Sequence, residues 1–190
     1  MKMTKEDFLI LVDENDIPWG KLEKSLVHEK GLLHRAFSVF IFNTNGELLI
    51  QQRADKKYHS GGLWTNTCCS HPRHNEFMGD AIERRLEEEM GLRCETEFKF
   101  SFIYKTKFDN GLIENEYDHV YFGITDEIPQ PNFSEIKNWE YVDMKFLDND
   151  INRYPEKYSV WLQKCFKTLL KHFEKFALTN ELKTKSYVSI

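Results

Sequence analysis

The 190-residue sequence lacks the features that mark several broad protein classes. No apolar run approaches the ~18 residues that a membrane span needs. The first residues, Met1-Lys2-Met3-Thr4-Lys5-Glu6-Asp7, contain no apolar stretch and do not read as a signal peptide. Cysteine is scarce: Cys68, Cys69, Cys94 and Cys165 lack the spacing of a disulfide framework, so a reduced, cytoplasmic protein is expected. Positive charge is not in excess. The net charge of -5 argues against broad nucleic-acid binding and leaves any anionic ligand to a local basic cluster. Repeats and low-complexity tracts are absent. Neither G-x-G-x-x-G nor G-x-x-x-x-G-K-[ST] occurs, so no flavin or nicotinamide is expected. No Ser-His-Asp pattern is legible.

What remains is an ordinary globular composition, 41% hydrophobic, suited to one core. One domain is expected over residues 1–177, with a polar tail over 178–190 that frays. Residues 8–12 read as a short strand, and Asp13-Glu14-Asn15-Asp16 with Pro18 as a turn. Residues 36–42 and 47–52 flank Asn43-Thr44-Asn45-Gly46, a hairpin signal because Asn-Gly accepts positive φ. Gly61-Gly62 breaks the chain before a short strand at 63–66. Ala81, Ile82, Leu86 and Met90 recur at helical spacing and Gly91 offers a stop, which predicts a helix over 78–90. Strands are expected at 98–105 and 117–124, around Asp109-Asn110-Gly111, and at 139–142. A closing helix over 159–176 would carry Trp161, Leu162, Cys165, Phe166, Leu169, Leu170 and Phe173 on one stripe. Strands around a short central helix, with a longer helix at the end, make a mixed α/β sandwich.

Four constellations carry chemistry. In Trp64-Thr65-Asn66-Thr67-Cys68-Cys69-Ser70-His71-Pro72, a loop could present a thiol and an imidazole together; a buried thiol beside a turn histidine is the plainer reading. In Glu114-Asn115-Glu116 an extended backbone sends both carboxylates to one side. In a concave site they would repel and call for a cation or a shared proton. His28, His34 and His71 are the candidate partners, and three imidazoles with two carboxylates suit Zn2+ or Mn2+. His59, His74, His119 and His172 read as surface or core residues. In the run from Glu83 to Leu92, Glu83 pairs in spacing with Glu87 and Arg85 with Glu89, as on any solvated helix. Lastly, Lys24, Arg53, Lys56, Lys57 and Arg85 could converge on an anion, arginine being the better bidentate phosphate donor.

Together these ordered segments resemble the type I isopentenyl diphosphate isomerases, a branch of the Nudix superfamily. The resemblance covers residues 12–161. It rests on Leu22-Glu23-Lys24 followed by His28, on His34-Arg35-Ala36-Phe37-Ser38, on the cysteine segment, and on Tyr104 with Glu114-Asn115-Glu116. The Nudix hydrolase pattern G-x5-E-x7-R-E-U-x-E-E-x-G-U, with U a bulky apolar residue, is degenerate here. Glu76, Arg84, Leu86, Glu88, Glu89, Gly91 and Leu92 fit, but Ser70 stands at the first Gly and Arg85 at the Glu after Arg84. Exchanging an acid for Arg85 removes a metal ligand and adds a phosphate contact, which favours holding a diphosphate over hydrolysing it.

The resemblance implies an α/β fold of the α+β type, a Nudix sandwich of mixed β-sheets with flanking helices. It implies that His28, His34, His71, Glu114 and Glu116 bind a divalent metal (Mn2+, Zn2+ or Mg2+). Glu89 and the backbone carbonyl of Cys69 would hold an Mg2+ that bridges the substrate diphosphate. Lys24, Arg53, Lys57, Ser70 and Arg85 would contact diphosphate oxygens. Cys69 and Glu116, with Tyr104 beside Glu116, would be the acid–base groups, and Trp161 would face the carbocation. In the forward direction Glu116 with Tyr104 would give the proton and Cys69 would take one. The partner is then a small prenyl diphosphate, with no nucleic acid and no membrane. A Nudix hydrolase of a nucleoside diphosphate derivative and a catalytically silent metal-stabilised binding module are the competing readings.

Overall fold

A strand covered on both faces has no solvated side, so its sequence runs apolar almost without a break. Ala36-Phe37-Ser38-Val39-Phe40-Ile41-Phe42 is such a run, and the computed structural model of the chain, which describes residues 8–184, is organised around it. In order the elements are β1 (Phe8–Val12), β2 (Pro18–Glu23), α1 (Lys24–Lys30), β3 (His34–Phe42), β4 (Leu48–Arg53), β5 (Trp64–Thr65), β6 (Cys68–Ser70), α2 (Met78–Met90), β7 (Thr96–Lys107), β8 (Ile113–Ile124), β9 (Ile136–Val142), α3 (Met144–Arg153) and α4 (Val160–Thr179). The N-terminal segment 1–7 and residues 185–190 of the expected tail lie outside the described residues.

The strands join in one mixed sheet. β3 runs parallel to β8 from His34↔Glu116 to Phe42↔Ile124, which fills one edge. Its other edge is shared in succession by β1 at His34, β6 at Phe37 to Val39 and β4 at Phe42, all antiparallel. β7 extends the sheet beyond β8, and β9 and β5 flank β4.

Alternation along β3 sorts its side chains between two cores. Phe37, Val39 and Ile41 pack with Leu49, Cys68 and the stripe Ala81, Ile82, Leu86 and Met90 of α2. Phe40 and Phe42 point the other way, to Val120, Phe122, Leu147 of α3 and Leu162, Phe166 and Phe173 of α4. Phe42 stacks on Phe173 with ring centroids 4.6 Å apart. The result is a mixed sheet with helices on either side, the α+β arrangement expected.

α2 keeps the expected bounds, and Gly91 ends it in the left-handed conformation at φ 61, its N–H returning to Leu86 and Glu87. β2, α1, β6 and α3 go beyond the sequence expectation. β2 is an exposed edge, and β6 is a three-residue strand defined only by its pairing to β3. α1 has seven residues, too few for a period to show. Gly31 terminates it with φ +61, where a Cβ would meet Ile113 Cγ2 at 2.8 Å, so α1 is pressed against the start of β8. α3 does carry a signal. Asp143 caps it by accepting from the N–H groups of Lys145 and Phe146, and Met144, Leu147 and Ile151 are buried at helical spacing. α4 runs on to Thr179, after which Leu182 and Lys183 donate to the carbonyls of Ala177 and Thr44, bringing this stretch back to the turn after β3. Among the described residues no helix is long and apolar enough to cross a membrane.

Candidate active site

Residues directly opposite one another on paired strands share a face of the sheet. Across β7, β8 and β3 the residues Tyr104, Glu116 and His34 lie in register, on the face that turns toward α4. Glu114 is two residues along β8 on that same face. β6 pairs Cys69 with Ser38 and Cys68 with Val39. Strand alternation therefore sends Cys69 to the His34 side and Cys68 into the α2 core, where it is fully buried beside Val39.

Three imidazoles meet at this row. His28 enters from α1 with Nδ1 2.6 Å from the Lys24 carbonyl, and His34 has Nδ1 2.9 Å from the Leu32 carbonyl. A carbonyl only accepts, so both rings keep the proton on Nδ1 and turn the Nε2 lone pair inward. His71 Nε2 lies 3.2 Å from His34 Nε2 and 2.9 Å from Glu116 Oε1. Ligand atoms of His28, His34, His71 and Glu114 all fall within 4.8 Å of one another. His28 Nε2 and Glu114 Oε2 are buried without a hydrogen-bond partner. Buried lone pairs left unsatisfied at one point, from imidazole and carboxylate donors, fit a divalent cation. Glu116 Oε1 stands at the rim of the cluster, 3.7 Å from His34 Nε2.

The charge states agree with a ligand set. Burial pushes the His71 imidazole down to about 4 against the pull of Glu116, so the ring is neutral near pH 7. Burial and Glu114 push the Glu116 carboxyl up, but His34 and His71 hold it below the usual carboxylate range. Burial likewise raises Glu114, and contacts from His28 and His59 bring it well below that range.

The basic residues do converge. Lys24 from α1, Arg53 from the end of β4, Lys57 from the following loop and Arg85 from α2 line one pocket with Ser70 and Glu89. Lys56 is exposed and stands apart. Arg85 pairs with Glu88 at 2.7 Å and with Glu89, and it lies 3.6 Å from Glu135. Lys57 pairs with Glu135 as well. Glu89 is buried, and its Oε2 accepts from Gln51 Nε2 at 2.8 Å. Glu76 and Arg84 form a two-pronged pair at 2.7 and 2.9 Å that fastens the loop to α2.

The acid–base candidates share this pocket. Tyr104 donates its hydroxyl to Glu116 Oε2 at 2.7 Å. Cys69 lines the pocket from β6, and burial, opposed by Arg53, pushes its thiol up to about 12. Trp161 lies off the apolar stripe of α4 and lines the pocket too, with Nε1 donating to Asn66 Oδ1 at 3.1 Å and the Arg53 guanidinium 5.2 Å over its ring.

Three contributors escape sequence reasoning. Glu135 neutralises Lys57 and Arg85, and nothing in its local sequence marks it. Asn66 orients Trp161 from within the cysteine segment. His59, read as a surface or core residue, instead enters the pocket and places Nε2 2.7 Å from Glu114 Oε1. The loop ahead of Gly61-Gly62 turns His59 inward, and Lys57, two residues before it, is the signal the sequence offers. The other three histidines stay outside the pocket: His74 is exposed, His119 pairs with Asp16 at 3.0 Å, and His172 stacks on Phe100.

Comparison with known proteins places these features in a family. The NUDIX domain model matches residues 32–163. Isopentenyl-diphosphate Delta-isomerase 2 of Aromatoleum aromaticum is 53% identical over 160 residues, covering 84% of this chain and 85% of its own length. The isopentenyl-diphosphate Delta-isomerase of Pectobacterium atrosepticum is 49% identical over 168 residues, covering 88% and 94%. Among solved structures, DR0079 from Deinococcus radiodurans shares the fold with a TM-score of 0.71, at 19% identity over 85% of this chain and 98% of that one. A degenerate Nudix box, a thiol on one strand and a Glu-Tyr pair across two others thus occur in a chain that belongs to the Nudix superfamily and, within it, to the isopentenyl-diphosphate Delta-isomerases.

Proposed function

We propose that the chain interconverts isopentenyl diphosphate and dimethylallyl diphosphate by adding a proton to one carbon of the alkene and removing one from another. The observation that carries this reading is the meeting of Cys69 with the Tyr104–Glu116 pair in a pocket that also holds four basic side chains. Lys24, Arg53, Lys57 and Arg85 bind the diphosphate, with Ser70 as a neutral donor. His28, His34, His71, Glu114 and Glu116 would hold one divalent ion (Mn2+, Zn2+ or Mg2+), and Glu89 with the Cys69 carbonyl an Mg2+. When bound, these ions neutralise the clustered carboxylates and the diphosphate.

The proton chemistry belongs to the side chains. Protonating the terminal alkene carbon leaves a tertiary carbocation, and loss of a proton from the neighbouring methylene carbon restores the double bond. Two groups on separate strands, one giving and one taking, accomplish this, and their roles exchange in the reverse direction. The resting distribution has the proton on Cys69 and the carboxylate of Glu116 ionised. That is the opposite of the distribution from which a Glu116-first order starts, so in that order Glu116 is loaded beforehand, with the Tyr104 hydroxyl as its hydrogen-bonded partner. The Trp161 face stabilises the cation by its quadrupole, by about 2 kcal/mol when desolvated. Arg53 occupies that neighbourhood here, and a diphosphate would draw it away.

Incubation with isopentenyl diphosphate, Mg2+ and Mn2+ in D2O, followed by NMR, should yield dimethylallyl diphosphate with deuterium in the newly formed methyl group. Release of phosphate from a nucleoside diphosphate derivative instead would install the hydrolase reading. What speaks against it is Arg85, which stands where the hydrolase pattern has a Glu and so leaves one acid fewer to hold metal. Inertness toward both substrates would leave a metal-stabilised binding module. The four free thiols suit a reducing compartment, and the cytoplasm is our reading of location.

Arg85→Gln should raise KM by roughly 10- to 100-fold, the loss of charged hydrogen bonds each contributing ~1.5–3 kcal/mol. The value of kcat should stay within a few-fold. An unchanged KM would remove Arg85 from the diphosphate site.

A further inference from the structure

Glu114 divides its two oxygens between different neighbours. Oε2 has no hydrogen-bond partner and belongs to the side of His34, 3.8 Å from Nε2. Oε1 is 2.7 Å from His59 Nε2 and 3.2 Å from His28 Nε2, and of the two only His59 can donate to it, because His28 keeps its proton on Nδ1 against the Lys24 carbonyl. The His59 ring is itself held firmly. It stacks on Phe108 with centroids 4.5 Å apart and planes 10° from parallel, and Trp161 meets it edge-on. Its Nδ1 is 3.2 Å from the Ser60 hydroxyl, which can donate to it, leaving the Nε2 proton for Glu114. The loop bearing His59 also carries Lys57 and is tied to the turn between β7 and β8 by Asn110 Nδ2, which donates to the Tyr58 carbonyl at 2.9 Å.

We propose that His59 is a positioning residue: it holds Oε1 of Glu114 so that Oε2 is presented to the cation, and so fastens the anion-binding loop to the metal centre. This rests on the reading of the His/Glu cluster as a cation site. A metal-ligating carboxylate needs an outer hydrogen-bond donor to fix its orientation, and loss of such partners typically costs 10- to 100-fold in metal affinity. A flexible Glu side chain left with one interaction must be ordered when the ion binds, which weakens binding. His59 does not itself join the cluster of mutually close ligand atoms formed by His28, His34, His71 and Glu114.

The test is Mn2+ affinity without substrate, read by the EPR signal of free Mn2+. His59→Phe keeps a ring to stack on Phe108 but removes the donor, and should weaken binding by roughly 10- to 100-fold. His59→Gln retains an N–H donor and should stay within about 3-fold of the parent. Binding by His59→Phe equal to the parent, or by His59→Gln as weak as by His59→Phe, would overturn the positioning role while leaving the cation site standing. A parent that binds no Mn2+, as weakly as a His28→Ala control, would overturn the cation site and this inference with it. A second measurement is independent of how the variants fold. Nitrogen NMR of the parent should show the His59 proton on Nε2 both before and after Zn2+ addition. A proton on Nδ1 in either state would overturn the proposal.

Discussion

Cys69→Ala should lower kcat by roughly 10²-fold or more with the fold and metal affinity kept, whereas Cys68→Ala should leave kcat within a few-fold. The argument is one of register. Cys68 opposite Val39 and Cys69 opposite Ser38 are adjacent on β6, so their side chains leave opposite faces of the sheet. Cys69 reaches the pocket, and its loss removes a proton-transfer group. Metal should survive, because the Mg2+ contact assigned to Cys69 uses its carbonyl. Cys68 is packed against α2, and removing one buried sulfur should lower stability by about 1 kcal/mol, visible as a small drop in Tm. Cys69→Ser should match the alanine or fall between the two, a hydroxyl being a poorer acid than a thiol and a poorer base than a thiolate. Loss of activity in Cys68→Ala beside normal turnover in folded Cys69→Ala would sink the catalytic assignment.

Exhaustive chelation should abolish turnover, and Mg2+ with Mn2+ or Zn2+ should restore it. Without a cation, Glu114 and Glu116 are two carboxylates buried side by side, with imidazoles and the Tyr104 hydroxyl as their close partners. An ion that binds the folded chain alone also stabilises it, by about 2.7 kcal/mol at a hundredfold excess over Kd, so Tm should rise with the restored metal. The pH dependence has a definite sign. The cation needs the lone pairs that protons would occupy, so the ligand with the highest pKa is lost first as pH falls. Burial lowers His28, but Glu114 and the Lys24 carbonyl outweigh it and raise the imidazole above its ordinary value, whereas His71 is down at about 4. Affinity should therefore weaken from near neutrality downward, and His28, not His71, sets where the fall begins. Full activity in metal-free protein would remove the three-histidine centre from the mechanism.

Legibility in the sequence followed locality. The stripe Ala81, Ile82, Leu86 and Met90 with Gly91 defines α2 within one segment, and strand alternation alone puts Glu114 and Glu116 on one face. The thiol beside His71 and the carboxylate pair could be read as chemistry because each sits in a contiguous run. α1 could not be read, since seven residues held by Gly31 and the start of β8 take their helix from tertiary contact. That is why His28 had no element to present it. His59, Asn66 and Glu135 act through partners 55, 95 and 78 residues away, and no local pattern announces such pairings. The sharing of one edge of β3 among three partners was hidden for the same reason.

That shared strand also works as a ruler. His34 stands level with Glu116 and Tyr104, and Ser38, four positions on, stands level with Cys69. At ~3.3 Å per residue the two levels are about 13 Å apart along an unbroken backbone. Lys57, Tyr58 and His59 line the pocket from a loop, and Lys24 and Trp161 from helix starts. The backbone levels from which the carboxylate and the thiol reach into the pocket are counted in residues of a buried strand, and loop motion leaves that spacing unchanged.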